Sequence, residues 1–136
     1  MINTRFSVAI HIISLIASNP HEAMSSEWIA GSVNTNPVVI RRITGLLKRA
    51  GIVDTVPGVA GITLKKCPSE ITLLDIYHAV ISDDALFSIH DETNPNCLVG
   101  RNIQATLDDK FQQAQHAMEA ELAKTSVADV VTQLKK

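Results

Sequence analysis

A chain of 136 residues that is 46% hydrophobic but only 4% aromatic suffices for one compact aliphatic domain, or for a small domain with a dimerising extension. Its net charge of −2 excludes a uniformly basic polyanion binder, yet the charge is uneven: seven Lys/Arg stand against five Asp/Glu up to Val80, and five against nine beyond it. Two cysteines, Cys67 and Cys97, exclude a disulfide framework and make a reducing cytoplasm the expected setting.

The apolar run at the start, residues 2–19, carries one positive charge and superficially resembles a secretory signal. Ser7, His11 and Ser14 interrupt it, no A-x-A site follows, and it is too short and polar to span a membrane. Ile2, Phe6, Ala9, Ile10, Ile13, Ile16 and Ala17 repeat at helical spacing, with Val8, Ile12 and Leu15 as a second stripe. A helix apolar over so much of its circumference needs cover on more than one side, and a partner subunit is a natural second cover. His11, between the stripes, reads as a hydrogen-bonded core or interface histidine. Asn19-Pro20 ends the helix, because the residue before proline is pushed out of the α region.

Ser25 or Ser26 caps a short helix over residues 26–32, with Trp28 and Ile29 as apolar anchors. Residues 33–36, which include Asn34 and Thr35, form a turn. The next helix has the most contrasted faces in the chain: Asn36 suits the N-cap, Pro37 the first helical position, and Gly51 the left-handed stop. Val39, Ile40, Ile43, Leu46, Leu47 and Ala50 gather on one arc, and Val38, Arg41, Arg42, Gly45, Lys48 and Arg49 on the other. A short capped helix, a tight turn and a helix with a cationic outer face make a helix-turn-helix pattern.

Beyond Gly51 two β-rich runs, 52–56 and 62–66, flank the turn-rich stretch 57–61 and read as a hairpin, or wing. Thr72 and Asp75 form a capping box for a helix with Leu73, Ile76, Tyr77 and Val80 inward and His78 as a structural or solvent-facing histidine. Residues 82–100 are acidic and aperiodic. From Arg101 to Lys124 a narrow stripe of Ile103, Leu107, Phe111, Ala114, Met118 and Leu122 marks a helix of about 36 Å, longer than the winged unit can cover, and such a seam usually meets another helix. Ser126 and Asp129 box the start of a last short helix, in which Val127, Val130, Val131 and Leu134 share a face. The expected fold is mainly α with a small β-hairpin wing. A winged helix-turn-helix domain (1–81) and a connecting loop (82–100) precede a dimerisation helix with a C-terminal short helix (101–136).

Arg41 and Arg42 lie where a recognition helix reads bases, and an arginine fork suits guanine O6 and N7. Val38 can pack on a thymine methyl and Asn36 can bond a base edge or a phosphate. Gly45 removes bulk where helix and backbone approach. Ser25, Ser26, Lys48, Arg49, Lys65 and Lys66 are assigned to phosphates, which position the protein without reading sequence. Asn34 and Thr35, in the turn, join this DNA-facing set. Catalysis finds no support: G-x-S-x-G, P-loop, GxGxxG and HExxH are all missing, and the acidic pairs Asp83/Asp84 and Asp108/Asp109 diverge on a helix. A metal site would need Cys67, Cys97, His78, His90 or the Asp91/Glu92 pair to converge, and no C-x-x-C or H-x₃-H spacing exists. Cys97, beside an Asn-Pro-Asn turn, is either a reactive thiol or an ordinary cysteine, and no cation lies near it in sequence to lower its pKa.

The first helix, NTNPVVIRRITGLLKRAGIV, GVAGITLKK, SEITLLDIYHAV and NPNCLVG before a long helix together resemble the Rrf-two family of bacterial winged-helix transcription regulators. This is the group of the iron–sulfur regulator IscR, the nitric-oxide sensor NsrR and the cysteine-metabolism repressor CymR, and the likeness is greatest to its YwnA-like members. It implies a homodimer, each long helix packing across the partner's first helix, on an operator with two half-sites. It also supports Asn36, Val38, Arg41 and Arg42 as DNA-facing. Cluster-bearing relatives carry three closely spaced cysteines where this chain has only Cys97, so no cofactor is expected, since one thiolate cannot hold an iron–sulfur cluster. Many relatives carry a wing arginine where this chain has Pro57, which moves the burden of sequence readout onto the helix.

The leading expectation is a cytoplasmic, dimeric, sequence-specific repressor. Two alternatives differ in class: a winged module that has left DNA and binds a partner protein, and a redox-sensing regulator acting through Cys97.

Overall fold

The computed structural model describes residues 4–55, 61–81, 90 and 92–135. The first helix, α1 (Thr4–Ser18), is the central strut, with Ala9, Ile12, Ile13 and Ile16 buried. Each fully buried isoleucine contributes about 1.5–3 kcal/mol relative to exposure. Ser14, buried among them, donates its hydroxyl to the Ile10 carbonyl at 2.7 Å. His11 is not a core residue: it is exposed and bonds through Nε2 to Ser32 Oγ at 3.1 Å, linking α1 to the next helix.

That helix, α2 (Ser26–Val33), is capped by Ser25, whose Oγ accepts from the Trp28 N–H at 3.1 Å. Of the two expected anchors only Ile29 is buried, joined by Ala30, whereas Trp28 is 54% exposed. One residue back along a helix is a rotation of about 100°, enough to carry the indole off the buried arc.

The third helix, α3 (Pro37–Arg49), has the expected inward face, with Ile40, Ile43 and Leu47 buried, Val39 and Leu46 half-buried and only Ala50 outside it as the exposed C-cap. Its end is a Schellman motif. Gly51 adopts φ 79°, its N–H donates to Lys48 O at 3.0 Å, and the Ile52 N–H reaches back to Leu47 O at 3.0 Å.

The wing pairs β1 (Val53–Thr55) antiparallel with β2 (Ile62–Leu64) in the register Val53↔Leu64, Asp54↔Thr63, Thr55↔Ile62. Val53 and Ile62 point into the core while Asp54 and Thr63 face solvent, as alternation requires. A bridge between Met24 and Ile62 ties the hairpin to the segment before α2. The wing tip, with Pro57, lies outside the described residues, as do Ile2, Asp83, Asp84 and Asp91.

After a 3₁₀ turn (Pro68–Glu70), α4 (Leu73–Val80) opens on the Thr72/Asp75 capping box. Ile76, Tyr77 and Val80 are buried, Leu73 half-buried and His78 exposed. Arg5 Nη1 donates to the Val80 carbonyl at 3.0 Å, and Phe6 meets the Tyr77 ring edge-on at 5.4 Å, so α1 and α4 are joined at both levels.

The long helix α5 runs from Leu98 to Ala123, beginning three residues before the expected Arg101. Gly100 does not break it. A side chain there would crowd the Asn94 carbonyl at 2.7 Å, so the glycine lets the helix start against the preceding turn. No residue of α5 is buried. Ile103, Leu107, Phe111, Met118 and Leu122 are half-covered and Ala114 is exposed. The last helix, α6 (Val127–Leu134), has the expected Ser126/Asp129 box. It returns to the first unit: Val127 is buried in the common core, its N–H donates to Ile71 O at 2.8 Å, and Leu73 N–H donates to Thr125 O at 2.9 Å.

Candidate nucleic-acid interface

The outward face of α3 is built by its caps. Asn36 Oδ1 accepts from the Val39 N–H at 3.0 Å, so its side chain is held at the start of the helix with its amide nitrogen left to donate outward. The turn before it is fixed by Asn34, in the left-handed conformation at φ 65°, and by N–H donations from Asn34 and Thr35 to Ala30 O at 2.9 and 3.0 Å. Asn and Asp tolerate that conformation better than most residues. Asn34 is exposed and Thr35 half-buried.

From this start Val38, Arg41, Arg42, Lys48 and Arg49 all emerge exposed within one arc of the helix, Val38 at 56%. Gly45 lies among them, and a Cβ there would meet nothing within 4 Å. The fold itself gives no reason for a glycine in mid-helix, whereas a close approach from outside does.

The cations differ in their partners. Arg41 Nη2 contacts Glu27 Oε1 on α2 at 3.2 Å, both side chains being largely exposed. Backbone hydrogen bonding at Glu27's own position, followed by the Arg41 hydrogen bond, holds the Glu27 carboxyl below its ordinary pKa. Lys48 Nζ donates to Thr55 Oγ1 on β1 at 2.6 Å. Ser25 spends its oxygen on the α2 cap but keeps its O–H to donate, and Ser26, in the first turn of α2, is half-buried. Lys65 and Lys66 are exposed just past β2; Lys66 also borders a shallow hollow of about 170 Å³ between the end of α1 and the base of the wing. Glu27 was missed in the sequence because its contact with Arg41 depends on how α2 and α3 cross. Only its place beside the cap of α2 could have marked it.

Cys97 stands exposed at the N-cap of α5. The sequence shows no cation beside it, yet its pKa is lowered, by the backbone N–H of Gly100 and then that of Val99 at the helix start. Cys67 is exposed at the N-cap of the 3₁₀ turn. Among the described residues no three His, Cys, Asp or Glu side chains gather as a metal-binding group. Among them, too, no helix is long and apolar enough to cross a membrane.

The family model described as "Rrf2: Iron-dependent Transcriptional regulator" matches residues 2–133. YwnA of Bacillus subtilis (strain 168), named as a candidate HTH-type transcriptional regulator, is 52% identical over 134 residues, covering 98% of this chain and 99% of its own. A crystal structure of a candidate DNA-binding protein is 50% identical, covers 93% of this chain and 97% of its own, and superposes with a TM-score of 0.78. The structure of CymR, the global cysteine regulator of B. subtilis, shares the fold, with 21% identity, a TM-score of 0.69 and coverage of 97% and 96%. The family and YwnA are described as transcriptional regulators rather than enzymes, and the solved structures share this fold. The chain belongs to the Rrf2 family of DNA-binding transcriptional regulators.

Proposed function

We propose that the protein is a cytoplasmic, homodimeric repressor that occupies a two-half-site operator, with α3 in the major groove. The observation that carries this reading is the α3 outer face, where Val38, Arg41 and Arg42 stand exposed directly after the Asn36 cap and Lys48 and Arg49 stand further along. The first group suits base edges, the second the flanking phosphates, together with Ser25, Ser26, Asn34, Thr35, Lys65 and Lys66. Dimerisation is supported by α5: 26 residues, about 39 Å, with an apolar stripe and no buried residue. The two-cysteine donor set does not fit an iron–sulfur cluster, which takes several thiolates, so regulation is assigned to another signal.

Mobility shifts on the DNA upstream of the protein's own gene, at several salt concentrations, test the reading. Affinity should fall steeply with salt, and Arg42→Ala should relax sequence preference while costing about 1–3 kcal/mol. Binding indifferent to salt and to the loss of Arg41 and Arg42 would reject it. Sedimentation of the free protein tests the dimer, a monomer at micromolar concentration being the adverse result.

One observation favours a second reading, a thiol switch. Cys97 is exposed and its pKa is lowered by the amides that begin α5. Oxidation there would act at the start of the helix to which dimerisation is assigned.

A further inference from the structure

We infer that Glu27 is a positioning residue for sequence readout: by holding the Arg41 guanidinium at 3.2 Å, it presents the rest of that fork to a base edge instead of leaving it to any nearby phosphate. This rests on the DNA-binding reading above.

The helix N-terminus favours an acid in the first turn of α2 whether or not Arg41 is near. An exposed ion pair adds little to stability, however, so stability does not account for the pairing with Arg41. A carboxylate beside a DNA-facing helix also repels phosphate and lowers affinity for every sequence. What the pair does accomplish is geometric. Arg41 is on the second turn of α3, in the outward arc, and Glu27 is on the first turn of α2, the neighbouring helix of the helix-turn-helix. A contact through Nη2 alone leaves the other N–H donors of the guanidinium unused. A guanine can then take two of them through O6 and N7, in the same plane, without Arg41 leaving Glu27. A phosphate elsewhere along the backbone can win Arg41 only by breaking the pair. Glu27 thus lowers the value of Arg41 on random DNA while keeping its value at the correct base, and it orders a long side chain before binding.

The prediction concerns discrimination rather than affinity. Operator duplexes are first selected from random DNA on the wild-type protein, and affinities are then measured for one selected duplex and for a scrambled duplex of equal length. Glu27→Ala should lower the ratio of the two affinities about tenfold, chiefly by tightening the scrambled complex and steepening its salt dependence. Glu27→Gln, which keeps an acceptor oxygen but not the charge, should recover part of the ratio. In an Arg41→Ala background neither substitution should change the ratio. Equal tightening on both duplexes, an unchanged ratio, or the same effect with and without Arg41 would overturn the inference and leave Glu27 as simple repulsion. A wild-type protein that selects no sequence at all would overturn the DNA-reading proposal and this inference with it.

Discussion

Lys48 Nζ donates to Thr55 Oγ1 at 2.6 Å, so the last turn of α3 is fastened to the first strand of the wing. The bond spends one of three ammonium donors and leaves the charge in solvent. It therefore would not compete with the proposed phosphate contact, and it would fix where that contact is made. Lys48→Ala should weaken operator and random DNA alike and reduce the salt slope by about one counterion. Thr55→Val removes the acceptor and keeps the charge, so its slope should equal that of wild type. Each change should move stability by no more than about 0.5 kcal/mol. An unaltered slope for Lys48→Ala would remove Lys48 from the phosphate-binding set, and a reduced slope for Thr55→Val would show that the contact depends on this bond.

Gly45 sets stability against function. A mid-helix glycine costs roughly 0.5–1 kcal/mol relative to alanine, and an added methyl would meet no atom within 4 Å. Gly45→Ala should accordingly raise the melting temperature. If DNA approaches α3 closely at this point, the same methyl should reduce operator affinity severalfold. Thermal melts and mobility shifts on one preparation decide the matter, and a stabilised variant with undiminished affinity would place the close approach elsewhere.

What could be read from the residues in order was whatever local chemistry determines. The Thr72/Asp75 and Ser126/Asp129 boxes, the Asn36-Pro37 start and the Gly51 stop all stand where sequence spacing put them, because each depends on neighbours within a turn or two. The α3 faces were legible for the same reason. Trp28 and the start of α5 differ from expectation because each outcome depends on a distant element, and the expected hydrogen bond of His11 likewise has its partner on another helix. Ile29 and Ala30 take the buried arc that Trp28 was expected to share; His11 finds Ser32 on α2; the Asn94 turn supports Gly100 inside a helix. The Glu27–Arg41 pair, 14 residues apart in sequence, has no local periodicity to announce it.

At Gly61 the wing runs tight against the body. It adopts φ 131°, and a Cβ there would fall on the Cβ of Ala23, next to the Met24–Ile62 bridge that docks the hairpin. Conformation and space both exclude a side chain, unlike at Gly45. Gly61→Ala should cost about 2–4 kcal/mol. Adding Ala23→Gly should restore only part of that loss, since it relieves the collision but not the dihedral. Denaturant unfolding of the single and double variants measures both terms, and a Gly61→Ala protein as stable as wild type would show that the hairpin shifts away from α2 at little cost.

Cys97 gives a prediction in pH. The thiolate is the reactive form, and the amides of Gly100 and Val99 favour it, so the folded protein should reach its full alkylation rate at lower pH than an unperturbed thiol of pKa about 8.5. The thiol is exposed on the single chain. Cys97→Ser leaves Cys67 as the remaining thiol, and the difference between the two iodoacetamide profiles isolates Cys97. Unfolding in denaturant removes the α5 amides and should return the inflection upward. The thiol-switch reading adds a second requirement. Hypochlorite, as a two-electron oxidant, should change operator affinity in the wild type and leave Cys97→Ser unaffected. A normal-pKa profile would show that the start of α5 does not activate this cysteine, and an equal oxidant response in the two proteins would assign any sensing to another residue.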